Sequence, residues 1–151
     1  MGNWSVIVPA AATNLCANPS LETNTTGWVA VGSTVTRSST VHLWGGYALK
    51  IVTNNAAANE GAYFSVAPTI VAHVGSLWIR TEAGTTSIRL RLRDQTNATE
   101  TAGAPFTVTM TWTRVSVSHT PSAGCVDLRL YIETPSHALT TVFVDGVQIE
   151  A

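Results

Sequence analysis

Charge is scarce in this 151-residue chain. Asp, Glu, Lys and Arg together make up 11% of it, against roughly 25% in an average soluble protein. What little charge there is nearly cancels, at net −1. Without a basic excess the chain offers no electrostatic footprint for nucleic acid or an anionic membrane surface. No run approaches the roughly 18 consecutive apolar residues needed to cross a bilayer, so no membrane insertion is expected. The N-terminus Met1-Gly2-Asn3-Trp4-Ser5-Val6-Ile7-Val8-Pro9 has neither a basic head nor a long apolar stretch, so it does not read as a secretory signal. Cysteine is limited to Cys16 and Cys125. They form no CxxC pair and no Cys/His cluster, which excludes the common zinc frameworks. The favoured reading is two buried thiols acting as small hydrophobes. A bridge needs their Cα atoms within about 4.4–6.8 Å. Catalytic signatures are missing as well. Nine carboxylates are scattered, the four histidines lack metal-ligand spacing, and there is no Gly-x-Ser-x-Gly elbow. A non-enzymatic chain is expected.

Apolar residues are plentiful, at 45%, enough to offset chain entropy and build one domain's core. Their spacing is period two rather than helical. In Ser87-Ile88-Arg89-Leu90-Arg91-Leu92-Arg93-Asp94, Ile88, Leu90 and Leu92 fall on one side and Arg89, Arg91 and Arg93 on the other, a separation that only a strand produces. The segment from Val126 to Glu133 divides likewise, with Val126, Leu128, Leu130 and Ile132 inward and Asp127, Arg129, Tyr131 and Glu133 outward. Further strands are predicted at Trp4 to Val8, Thr34 to Ser38, Tyr47 to Val52, Gly61 to Val66, Gly75 to Thr81, Phe106 to Thr109, Thr113 to Ser118 and Thr141 to Ile149. Gly27, Gly45-Gly46, Asn54-Asn55, Ala83-Gly84, Pro121 to Gly124 and Pro135-Ser136 punctuate them. Short strands with turns every 8–12 residues or so imply an all-β fold, an antiparallel β-sandwich or jelly roll. Residues Asn55 to Asn59 are the one place for a short helix or coil. Residues 1–13 read as an N-terminal arm before a single domain at 14–151.

Several phrases add up to a family resemblance. The chain opens with Asn18-Pro19-Ser20-Leu21-Glu22 followed by Gly27-Trp28. It continues through Gly46-Tyr47-Ala48-Leu49-Lys50-Ile51, Gly75-Ser76-Leu77-Trp78-Ile79-Arg80 and Trp112-Thr113-Arg114-Val115. It closes with Phe143-Val144-Asp145-Gly146-Val147-Gln148-Ile149-Glu150. In this order and spacing they resemble the jelly-roll carbohydrate-binding modules of the family 4/9/22 type, a domain also carried by bacteriophage virion proteins. Leu21 stands where the family's opening phrase usually has an aromatic. Trp28 resembles the aromatic that packs inside.

The resemblance implies one structural calcium ion near the meeting of the first and last strands, with Asp145 and Glu22 as carboxylate ligands; no other cofactor is expected. Hard cations take about six to eight oxygens. The alternative reading gives Asp145 a tight turn or bulge before Gly146 and gives Glu22 backbone hydrogen bonds at a strand end. The resemblance also implies an aromatic surface for sugar rings, with Trp78, Tyr131 and Trp112 as outward candidates and Trp44, Tyr47 and Tyr63 on loops or strand ends. Core or interface packing is the commoner fate of such residues, and aromatics are only 7% of this chain. Read from the residues themselves, Arg89, Arg91 and Arg93, joined by Arg129 and Arg80, form a ladder for an acidic sugar or partner. The plainer reading is a solvated face paired with Glu133, Asp127 and Glu82.

Two functional readings follow. In the first, the chain is a non-catalytic virion component, a phage capsid-decoration or tail-associated protein assembled in the host cytoplasm. Its sparse charge would be explained by burial against copies of itself or capsid and tail proteins. In the alternative, it is a polysaccharide-binding module of a secreted glycoside hydrolase, with a glycan as partner.

Overall fold

The computed structural model describes residues 13–151, and among them there is no helix. Eleven strands follow one another: β1 (Trp28–Val31), β2 (Ser33–Ser38), β3 (Ala48–Thr53), β4 (Gly61–Val66), β5 (His73–Thr81), β6 (Thr86–Asp94), β7 (Thr99–Ala102), β8 (Phe106–Val108), β9 (Thr113–His119), β10 (Leu128–Glu133) and β11 (Thr141–Glu150). They pair antiparallel into two sheets. One has the order β1-β4-β10-β6-β7, with β8 sharing the outer edge of β6, and the other runs β2-β3-β11-β5-β9. The fold is the expected all-β sandwich of jelly-roll type.

Period-two patterning makes the core. Ile88, Leu90 and Leu92 of β6, Leu128, Leu130 and Ile132 of β10, and Ala62, Phe64 and Val66 of β4 are buried on one inner face. Leu77 and Ile79 of β5, Leu49 and Ile51 of β3, and Val142, Val144, Val147 and Ile149 of β11 oppose them. Trp28 packs inside as expected, edge-on to Phe64 with ring centroids 5.4 Å apart. Such an edge-to-face pair adds about 0.5–1.5 kcal/mol beyond the area it buries. Leu21 is fully buried in the aromatic's usual place.

The opening and closing phrases belong together physically. β11 pairs with β3 only over Thr141 to Val144. A register shift then falls between Asp145 and Gln148, and the rest of β11 needs another partner on that edge. The opening segment supplies it. Leu15 N–H donates to the Ile149 carbonyl at 2.8 Å, and Val147 N–H donates to the Pro19 carbonyl at 3.0 Å. The Asn14 side chain bridges the Val147 carbonyl and the Ile149 N–H.

Several expectations need correction. β1 and β7 were not anticipated, because Trp-Val-Ala-Val has no alternation and the Thr-Glu-Thr-Ala edge strand is exposed throughout. Of the helix or coil expected at Asn55 to Asn59 the structure has the coil, as bends and turns, with Asn55 and Asn59 at φ of 61° and 64°. Val126 precedes β10 and is 72% exposed instead of inward. Apart from Thr13, the expected arm and its strand at Trp4 to Val8 lie outside the described residues. Cys16 and Cys125 are both free and buried.

Candidate functional site

The outer face of the first sheet carries the densest set of polar and aromatic side chains. Strand pairing sets them in rows. Tyr63 of β4 stands beside Tyr131 of β10, which stands beside Arg91 of β6. The neighbouring row is Ser65, Arg129 and Arg93, and the row on the other side is Gly61, Glu133 and Arg89. Gly61 is required there, since a Cβ would come within 1.9 Å of the Ile132 carbonyl oxygen. Val29 of β1 extends the tyrosine row to the sheet edge and is 43% exposed.

Glu133 is the anchor of this face. Its carboxylate is buried, yet Oε1 accepts hydrogen bonds from Arg89 Nη2 at 2.6 Å and Nε at 3.0 Å, and Oε2 accepts one from Arg91 Nη2 at 2.8 Å. Glu100 of β7 takes Arg91 Nη1 at 2.9 Å and Arg93 Nη1 at 2.6 Å. Asp127 accepts from Arg129 at 2.7 Å and from the Ser65 hydroxyl. Four guanidiniums therefore face three carboxylates, and the ladder leaves little unmatched charge. The hydrogen bonds between Asp127 and Arg129 hold the arginine's pKa above its ordinary value.

The aromatic rings are stacked within the row. Tyr63 and Tyr131 lie 4.9 Å apart with a 39° tilt. The Arg91 guanidinium sits 4.2 Å from the Tyr131 centroid, and that of Arg129 sits 4.7 Å from the Tyr63 centroid. Ring faces are thus turned toward one another and toward guanidiniums, which fixes the side chains. Tyr131 faces outward but is buried, and Tyr63 is half-buried, so this row is a rigid set of partly covered hydroxyls, ring edges and N–H donors. It is not a flat stacking platform.

The structure divides the expected site residues between two faces. Tyr131, Arg89, Arg91, Arg93 and Arg129 come together. Trp78 does not join them: it is on β5 of the other sheet, opposite Arg114 and Asp145, and packs edge-on to Trp44 at 5.7 Å. Trp112 immediately precedes β9 of that second sheet, and Arg80 is also on β5. Tyr63 was placed at a strand end by the sequence and is central instead. Glu133 was read only as a pairing partner; its outward register beside three arginines was the available signal.

The calcium ligands expected from the resemblance do not fit a cation here. Asp145 is fully buried. Its Oδ2 accepts the N–H groups of Leu43 and Trp44, both at 2.9 Å, and its Oδ1 accepts that of Gly146 at 2.7 Å. The Glu22 carboxylate accepts N–H groups of Gly46 and Tyr47. Amide dipoles point their positive ends at both carboxylates, the reverse of what a divalent ion wants. The nearby carbonyls of Glu22 and Thr23 are held by the Arg37 guanidinium, each at 2.6 Å. Among the described residues no three His, Cys, Asp or Glu side chains converge as metal ligands.

No family model matches the sequence, and no curated protein matches it. Solved structures do. The CBM22-1 xylan-binding domain of Paenibacillus barcinonensis Xyn10C superposes with a TM-score of 0.76 at 22% identity, covering 95% of this chain and 97% of that one. Another xylan-binding domain of CBM 22 gives 0.72 at 19% identity, covering 88% and 92%. TmCBM61 in complex with β-1,4-galactotriose gives 0.65 at 15% identity, covering 91% and 97%. The chain therefore has the jelly-roll fold of carbohydrate-binding modules. The virion reading gains no support from these matches, which suit the alternative better.

Proposed function

We propose that this chain is a non-catalytic polysaccharide-binding module, exported with a glycoside hydrolase, that holds a neutral β-linked chain of the xylan type on the outer face of β4, β10 and β6. The observation that carries the reading is the Tyr63–Tyr131–Arg91 row, braced by Glu133, on the fold of sugar-binding modules. Guanidinium and carboxylate groups at fixed spacing pair well with the vicinal hydroxyls of a pyranose. Tyrosine edges and Val29 supply apolar contact for its C–H groups. A neutral ligand suits the face, because its arginines are already matched by Glu133, Glu100 and Asp127. The same ion pairs leave those carboxylates poorly placed for acid–base chemistry, in keeping with a binding role.

Xylohexaose binding tests this. Wild type should bind as a monomer. Tyr63→Ala should weaken binding by about 30-fold, the effect of truncating one interface anchor. Trp44→Ala, on the opposite sheet, should leave it unchanged. Equal binding by wild type and Tyr63→Ala rejects the face.

A further inference from the structure

The second sheet carries an aromatic cleft of its own, behind the xylan face. Trp44 lies in the connection from β2 to β3 and is 48% exposed, yet it is firmly held. Its N–H and that of Leu43 bond to the buried Asp145 carboxylate. Its ring rests on Gly146, where a Cβ would come within 2.4 Å of the indole. Gly146 has φ of +57° at the β11 irregularity, so the backbone turns out of the ring's way. The indole also packs edge-on to Trp78 at an interplanar angle of 88°. A large aromatic fixed this way and still half exposed is a preorganised contact surface.

Beside it is a cleft of about 260 Å³ lined by Asn14, Ser20, Trp44, Arg114, Gly146 and Gln148. Ligand pockets for drug-sized molecules run to roughly 300–1,000 Å³, so this one suits a single sugar ring. Its charge differs from that of the opposite face. Arg114 is exposed, and its Nη2 donates to the Ser76 hydroxyl at 2.9 Å and to the Gln148 side-chain oxygen. No carboxylate pairs with it among the described residues. Two acids are nearby: Glu150, to which Gln148 Nε2 donates at 3.3 Å, and the buried Asp145, whose carboxylate is held by the N–H groups of Leu43, Trp44 and Gly146. Arg89, Arg91, Arg93 and Arg129 all have carboxylate partners.

We infer that this cleft is a second carbohydrate site, selective for a pyranose bearing a carboxylate, that is, a uronic acid. The C–H face of the ring lies on the Trp44 indole. Its carboxylate takes the Arg114 guanidinium through charge-assisted hydrogen bonds, while Gln148 and Asn14 meet its hydroxyls. The site is independent of the xylan-binding reading, because no side chain is shared between the two faces.

Titration with glucuronate, followed by the indole N–H resonance of Trp44, tests it. Glucuronate should shift that resonance and the Gly146 amide saturably, and methyl glucoside should bind at least about tenfold more weakly for want of the charge-assisted bond. Arg114→Gln, a surface change that leaves the core intact, should erase the preference for glucuronate. Tyr63→Ala should leave glucuronate binding unaltered, so failure of the xylan face is distinguishable from failure here. An unmoved Trp44 resonance, or equal affinity for glucuronate in Arg114→Gln and wild type, overturns the proposal.

Discussion

Replacing Glu133 with Gln perturbs one buried charge on which two arginines depend. The side chain is only 1% exposed. Its carboxylate accepts four hydrogen bonds: from Arg89 Nε and Nη2, and from Arg91 Nε and Nη2. Gln keeps the shape and one acceptor oxygen but leaves two guanidiniums side by side without their common counter-charge. Removing one partner of a buried ion pair typically costs about 3–5 kcal/mol. Here the guanidinium side chains keep 24% and 15% exposure, Arg91 retains Glu100, and Arg89 retains Asn59. The expected loss is therefore below that range, about 2–3 kcal/mol. Urea unfolding followed by tryptophan fluorescence measures it. Glu82→Gln is the control, because the Lys50–Glu82 pair is solvent-exposed, with the Glu82 side chain at 53%, and should cost less than about 1 kcal/mol. High salt should leave the Glu133 effect largely intact, since buried pairs are screened much less than exposed ones. A Glu133→Gln protein within about 0.5 kcal/mol of wild type, the range of neutral surface changes, would refute the reasoning.

Acid stability should depend on Asp94. Burial alone would raise its pKa. The Asn97 side chain and N–H, the Cys125 thiol and the Ser122 N–H together outweigh that and hold it at about 2. The folded value is below the unfolded one, so the unfolded chain takes up the proton first. The contribution is complete above the ordinary carboxylate range near 4 and is lost as pH falls toward 2. Asp94→Asn should flatten the fall of Tm across that window; an unchanged acid limb contradicts the assignment. The thiols should be inert in the native state. Burial pushes Cys16 up to about 11, against the opposing Asn18 N–H, and burial also raises Cys125. A thiol reagent at neutral pH should label both only in denaturant. Rapid labelling of the folded protein would show that the two sites open.

The strands that bury one face and expose the other were legible because period two leaves no choice of inward side. β6 and β10 show this, and so does β4, whose predicted bounds match the observed Gly61–Val66. The edge strands β1 and β7 were not, because Trp28–Val31 lacks alternation and β7 buries nothing, its pairing coming from backbone bonds to Arg91 through Asp94. The arginine ladder was readable as a face paired with Glu133 and Asp127, but Glu100 was not among the expected partners because β7 shows no pattern, and Glu82 pairs with Lys50 instead. The aromatic candidates failed as a set for a simple reason. Alternation says that Trp78 and Tyr131 both point outward, but it cannot say that they belong to different sheets. The calcium expectation came from the phrase around Asp145. What replaces it is a pattern of amide donors from residues 43, 44 and 146 that only the folded loops bring together.

The account rests on the outer face of β4, β10 and β6 holding a polysaccharide, and NMR mapping with xylohexaose tests that most directly. The predicted result is saturable shifts at Tyr63, Arg91, Arg129 and Tyr131, with the sheet of β2, β3, β11, β5 and β9 silent. Shifts confined to that second sheet, or none at all, would contradict it.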